Sequence, residues 1–506
     1  MTAINANLIR RNDTPVVLVD YDQLKCPLAD VQAYLLTDPE ALAARQALFR
    51  DIWAQPVLLE QLKAIYERLD GLSYYATLGG NEGMNSVETT VYSLLNLRTF
   101  TEFVDYIVGT CLPAIRLDAL SSAELRGFFD SIAAYAETER FLAARRWLDE
   151  FDIDLKHVRS ITLGANLDAQ LRIKEIGLAS FNAHAYVNDN LIDAFFRLEN
   201  PPAEYKCLAA LGMQEVKNLR TKGGVAINKE YFDAMNGIFK GAIRSVRKYI
   251  TDAFRRDVMS ILDAKEDIVF MIRAAKYMLS LREAKLTLTF PKVGKTTAIR
   301  GLCNPNLLDK CKLPQIVTND VLLDAGHRLY VLTGPNCGGK SVYLSAIGIA
   351  QVMFQLGLPV AAEAAEMQPF DVIATMFVRE IVRSTESRLV NEVVRLRDTL
   401  GQIGENSLLL MDETFSSTSA YDGVFLAEAL IKYLLKLGCA AFYVTHLHEL
   451  AERLPKFGGE LPLHLLTAHN DGGRRTYKII PYDGTAAESS LARDIVIENG
   501  LGFLFA

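Results

Sequence analysis

The chain has 506 residues, room for about two to four domains with ample hydrophobic cores. Half of its residues are hydrophobic and its net charge is −7, which argues against a blanket electrostatic grip on nucleic acid but leaves room for a local basic patch. The seven cysteines are odd in number and form no C-x-x-C, so neither a disulfide framework nor a zinc ribbon is expected, and a reducing cytoplasm is the simplest location.

No signal peptide or membrane partner is expected. Arg10 and Arg11 are followed by no apolar stretch, and the longest apolar run, 344–362, is broken by Gln351, Gln355, Gly357 and Pro359. Residues 1–30 are mixed, with one short strand-like piece at Val16-Val17-Leu18-Val19. From Val31 to Leu148 apolar residues recur at helical spacing, as in Leu58, Leu59, Leu62, Ile65 and Leu69. Pro39, Pro56 and the glycine-rich stretch 78–83 punctuate these helices, and Ser121-Ser122 reads as the cap of another running through Phe128, Ile132 and Tyr135. Segments 160–166 and 175–179 read as a small strand pair within the helical half.

Lys229 to Arg256 reads as a long helix with a heptad seam of Met235, Phe239, Ala242, Val246, Tyr249 and Ala253. Its other side carries Lys240, Arg244, Arg247, Lys248, Arg255 and Arg256, which form either a solvated face or a phosphate-contacting arm. A second helix, Val258 to Glu283, is expected to pack antiparallel to it. Composition shifts near Leu286, where strand-like Thr287-Leu288-Thr289-Phe290 begins, and a domain boundary is expected at about residue 290. Gly294-Lys295-Thr296-Thr297 has the tail of a phosphate-binding loop, but Thr289 stands where the first glycine must be, so it is set aside.

The second half carries the chemistry. Gly334-Pro335-Asn336-Cys337-Gly338-Gly339-Lys340-Ser341 fits G-x-x-x-x-G-K-[ST], between a strand-like Leu329–Thr333 and a helix-like Val342–Phe354. Glycines allow successive N–H groups to turn toward phosphate oxygens, and the helix start adds its positive dipole end. Lys340 would reach the β/γ-phosphates and the Ser341 hydroxyl would ligate Mg²⁺. The apolar run Leu408–Met411 ends in Asp412-Glu413, where α/β sheets bind ligands. Asp412 would hold Mg²⁺ and Glu413 would polarise the attacking water. A third strand-like run, Phe442–Thr445, ends in His446, placed to sense a γ-phosphate.

The loop Thr-Gly-Pro-Asn-Cys-Gly-Gly-Lys-Ser (333–341), the acidic run 412–423 and Thr445-His446-Leu447-His448-Glu449-Leu450 together resemble the ATPase domain of the MutS mismatch-repair family, part of the ABC ATPase superfamily. Ser387-Arg388-Leu389-Val390-Asn391-Glu392 resembles that family's signature Ser-Thr-Phe-Met-Val-Glu. The resemblance implies an α+β multidomain protein: a mainly α-helical core and lever region over 1–290, then an ABC-type α/β P-loop ATPase domain over 291–506. It implies ATP and Mg²⁺, a homodimer with Ser387 capping the partner's nucleotide, and Asn319 and His464 around the adenine. It also implies levers that grip double-stranded or branched DNA, in repair or recombination.

The departures from the family are specific. No counterpart of the mismatch-reading Phe-x-Glu wedge stands near the start, so the chain reads as a short homologue without that domain. Phe100-Thr101-Glu102 has the spelling but lies in a helical stretch and reads as core plus surface. Only Thr221–Gly224 marks a tip for a DNA clamp. Cys337 replaces a methionine, Phe415-Ser416-Ser417 replaces Gly-Arg-Gly, and Ser489-Ser490-Leu491 replaces Ser-Tyr-Gly. These gaps and the acidic balance keep open an ATP-regulated interaction protein acting on a protein or ribosome, and a nucleotide switch that does not hydrolyse.

Overall fold

The computed structural model describes residues 4–12, 14–26, 28, 31–79, 87–150, 160–167, 169, 173–182, 184–185, 187–188, 206–207, 226–335, 338–377, 387–454, 463–471 and 474–482. It is a mixed α/β structure. Two compact units divide the chain: one comprises Met1–Leu8, Val57–Leu120 and Leu125–Val269, the other Ile9–Pro56, Ser121–Glu124 and Phe270–Ala506.

The second unit is built on a seven-stranded sheet: β1 (Val17–Val19), β2 (Leu329–Thr333), β3 (Val372–Met376), β4 (Ser407–Asp412), β5 (Ala440–Val444), β6 (Leu463–Asp471) and β7 (Arg474–Pro481). The order across the sheet is β1-β3-β4-β5-β2-β6-β7, and all neighbours are parallel except β6 and β7. Every residue of β2, β3, β4 and β5 is buried. That is why these strands read as continuous apolar runs, since a parallel sheet is covered on both faces. Three helices matter to the site: α1 (Lys340–Gln355), α2 (Arg388–Leu400) and α3 (Ala420–Leu437). Ser387 and Ser419 cap α2 and α3 by accepting the N–H of Val390 and Asp422, and left-handed Gly438 ends α3. A smaller four-stranded sheet comprises Lys292–Val293, Ala364–Met367, Thr297–Leu302 and Asn319–Leu323.

Residues 9–56 belong to this unit rather than to the helical one, and the contacts give the reason. β1 extends the sheet by pairing with Val372–Ala374 of β3. Gln355 of α1 donates to Leu36 O at 3.0 Å, and Gln46 donates to Pro291 O at 2.9 Å. The Arg45 guanidinium bonds the Arg10 and Tyr34 carbonyls and lies over the Phe270 ring. Thr287–Phe290 forms no strand; only a bridge from Thr289 to Val360 is present.

The first unit is helical around an aromatic core of Phe100, Phe103, Phe128 and Phe129. Phe100 is fully buried and Glu102 faces outward to Arg98, as core plus surface. Strands Ser160–Leu167 and Ile173–Asn182 form an antiparallel pair. The expected antiparallel helices 229–256 and 258–283 are instead one continuous helix, Ala226–Glu283. No glycine or proline stands at the supposed turn. Asp257 there is held by the Tyr135 hydroxyl at 2.8 Å and by Arg140 at 2.9 Å, so its carboxylate serves packing and not a turn. The helix contains Lys240, Arg244, Arg247 and Lys248, whose side chains lie outside the described residues, as do residues 221–224. Among the described residues, no helix is long and apolar enough to cross a membrane.

Candidate functional site

The C-terminal edge of the sheet gathers the polar residues that the sequence singled out. Asp412, Val444 and Leu332 are register partners on the neighbouring strands β4, β5 and β2, so the segments beyond these three strands emerge side by side. After β2 the chain turns through Gly334 and Gly339, with φ of 119° and 92°, into α1. Both values favour glycine. A Cβ at Gly334 would stand 2.9 Å from the Ala468 nitrogen of β6, so close approach as well as conformation requires the glycine. Asn336 and Cys337 lie outside the described residues.

Lys340 opens α1 and is 5% exposed. Its ammonium donates back to the Gly334 carbonyl at 2.8 Å and the Pro335 carbonyl at 3.0 Å. Asp412 ends β4 and is 9% exposed. Burial pushes its carboxyl above the ordinary range, the Ser341 hydroxyl bond opposes this, Glu413 adds to it, and the Lys340 charge opposes it. One oxygen, Oδ1, has no hydrogen-bond partner among protein atoms, a costly state for a buried carboxylate. Glu413 comes next, at a left-handed φ of 53°, and its Oε1 lies 3.9 Å from His446 Nδ1, an ion-pair distance and too long for a hydrogen bond. Phe415, two residues on, is also left-handed at 70°. Such backbone costs about 1–3 kcal/mol per residue and persists where neighbours enforce it.

A cavity of about 530 Å³ opens beside this edge. Gly338, Gly339, Lys340, Ser341 and Glu413 line it together with Leu302, Leu307, Val317, Asn319 and Tyr477. Asn319 is fixed by donating to Tyr477 O at 3.2 Å and accepting Ile479 N–H at 2.8 Å. His464 is not brought to this cavity. It pairs in register with Tyr330 near the start of β2, stacks on His327 at 4.2 Å, and bonds the Gly326 carbonyl at 2.8 Å. Ser387 stands at the N-terminus of α2 and lines no part of the cavity.

Two contributors escape a reading of the sequence. Tyr477 lines the cavity from a left-handed position on β7, which no local pattern announces. Glu392 of α2 accepts the Phe415 N–H and the Ser417 hydroxyl, both at 2.8 Å. Its place in the Ser387–Glu392 run was the available signal.

The family model for MutS domain V matches residues 330–489. DNA mismatch repair protein MutS of Thermosipho melanesiensis is 36% identical over 138 residues, 27% of this chain and 17% of that protein. The proteins of the same name from Macrococcus caseolyticus and Lactobacillus delbrueckii are each 34% identical, over 160 and 166 residues, 31% and 32% of this chain and 19% of theirs. The chain thus spans under a fifth of the length of these curated relatives in its match to them. Residues 330–489 are the part of the chain that matches domain V of the MutS family.

Proposed function

We propose that the chain binds and hydrolyses ATP at the 338–341 and 412–413 edge, and that hydrolysis moves its helical region on distorted or branched DNA. The observation that carries this reading is the convergence of a buried Lys340, Ser341, Asp412 and Glu413 on one sheet edge beside a cavity. The match of residues 330–489 to MutS domain V supports the same reading. The domains proposed are a helical core and lever region over 1–290, from which residues 9–56 pack in the other unit, and an ABC-type P-loop ATPase over 291–506.

The donor set fits magnesium: two oxygen ligands meet, and Oδ1 of Asp412 has no protein partner. Asp412 and Ser341 would hold the ion, which when bound neutralises charge on the β- and γ-phosphates. Lys340 would exchange its two loop carbonyls for phosphate oxygens, while N–H groups of 334–341 cradle the same phosphates. Glu413 would orient and deprotonate the attacking water, and His446 beside it would read the γ-phosphate. Asn319 and Tyr477 would bound the base. In a homodimer, Ser387 would close the partner's site. His464 has no part in this arrangement.

The net charge of −7 favours a second reading, an ATP-regulated protein whose helices hold a protein or ribosome. One experiment separates the two: ATP turnover with random duplex, junction and bubble DNA, repeated after charge reversal at Arg244, Arg247 and Lys248. Stimulation by branched DNA, with binding weakened about tenfold or more by the reversal, is the expected outcome. Equal turnover with every DNA, together with binding that ignores the reversal, sinks the DNA reading.

A further inference from the structure

Glu413 heads a loop that ordinary backbone preferences do not favour. Its own φ of 53° and the 70° of Phe415 are left-handed values in residues that carry a Cβ. Two side chains enforce them. From β5, the Tyr443 hydroxyl donates to Thr414 O at 2.8 Å. From α2, Glu392 uses both oxygens, one on the Phe415 N–H and one on the Ser417 hydroxyl, each at 2.8 Å. Hydrogen bonds to a carboxylate are among the strong ones. The helix that supplies this clamp is itself anchored. One turn beyond Glu392, Arg395 donates twice to Asp20 Oδ2, at 2.9 and 2.7 Å, and once to Phe377 O at 3.1 Å. Ser387 caps the same helix.

We propose that Glu392 is a positioning residue for hydrolysis: it holds the 413–417 loop so that Glu413 faces the cavity, and it ties that carboxylate to the helix bearing Ser387. The proposal rests on the ATPase reading above. Glu392 does not line the cavity, so its loss acts on the orientation of Glu413 and not on the nucleotide's contacts. Turnover falls while binding stays, whereas a group that only kept the fold would lower both.

The test measures ATP dissociation constants and saturated turnover in Mg²⁺ for the full chain, Glu392→Ala, Glu392→Gln, Ser417→Ala and Glu413→Gln. Glu392→Ala is expected to lose about tenfold or more in kcat with ATP affinity within about twofold. Glu392→Gln, which keeps one acceptor oxygen, recovers part of that loss. Ser417→Ala, which removes one of the two bonds from an exposed side chain, loses about threefold in kcat and serves if Glu392→Ala fails to fold. An unchanged kcat in Glu392→Ala or, should that variant not fold, in Ser417→Ala overturns the proposal. So does a parallel fall in affinity and kcat. If Glu413→Gln abolishes turnover while Glu392→Ala does not alter it, the positioning role alone fails. If Glu413→Gln changes nothing, the role given to Glu413 fails and takes the proposal with it, and if the full chain turns over no ATP, the ATPase reading itself fails.

Discussion

The two edges of the seven-stranded sheet are made of similar residues and are finished differently. At the starting edge of β2 every named polar group has a partner: His464 on the Gly326 carbonyl, His327 on Asp324, Tyr330 on the Leu322 carbonyl. The hydrogen bond from His327 holds Asp324 below the usual carboxylate range. At the opposite edge, Asp412 is pushed above it, mainly by burial, and keeps an oxygen without a protein partner. Left-handed Glu413 and Phe415 lie there as well. The first edge pairs these named groups, although Arg328 Nε beside them is buried without a partner. The other stores cost in strain and desolvation, as a site shaped for a ligand does.

The largest expected effect tests whether that stored cost serves catalysis. Glu413→Gln keeps the size of the side chain and removes the base. Turnover should fall about 10²–10⁴-fold while ATP still binds, read as single-turnover hydrolysis beside equilibrium binding. An unaltered rate counts against Glu413 as the activating residue.

Asp412→Asn sharpens the same contrast with opposite effects on function and stability. Mg²⁺-dependent turnover should fall by about 10²–10³-fold, several kcal/mol of transition-state stabilisation. Stability should rise. A carboxyl whose folded pKa is raised binds its proton more tightly in the folded state, so ionising it costs stability as pH climbs from the unfolded value through the folded one. The variant should therefore gain on the wild-type chain at neutral pH, and lose that advantage in acid below the ordinary carboxylate range. Denaturant melts at the two pH values check the sign.

The smallest effect belongs to the satisfied edge. His464→Ala should leave ATP affinity within about twofold and cost about 1 kcal/mol in a denaturant melt, from one lost hydrogen bond and ring contact. A tenfold loss of affinity would return His464 to the base.

The same contrast explains what could be read in advance. The strand, glycine turn and helix at 329–355 were legible because each depends on local chemistry: a buried apolar run, two positions needing positive φ, and a lysine at a helix start. Asp412, Glu413 and His446 were legible because parallel strands end together at one edge. His464 misled because a single residue in a short β-strand pattern does not tell which end of its strand meets the ligand. Its register with Tyr330 sets it at the far one. Tyr477 was invisible because no local pattern announces a left-handed tyrosine inside a strand.

Chain continuity obeyed the same rule. The periodicity of 229–283 announced helix, and the helix runs on through residue 257, where Tyr135 and Arg140 hold the Asp257 carboxylate. Val17–Val19 was legible as a strand by its apolar β-branched residues, yet its partner was not, because pairing with Val372–Ala374 joins segments more than three hundred and fifty residues apart.

The amino-acid sequence by itself determined the groups on offer: a glycine turn before a lysine, two acids and a histidine, each set by residue type and short spacing. Only the tertiary structure decided which groups share the site. Residues 9–56 join the unit that holds the sheet, Glu392 reaches the loop behind Glu413, and His464 stays away. The physical reason is that register and long-range packing, not local propensity, choose the neighbours of a side chain.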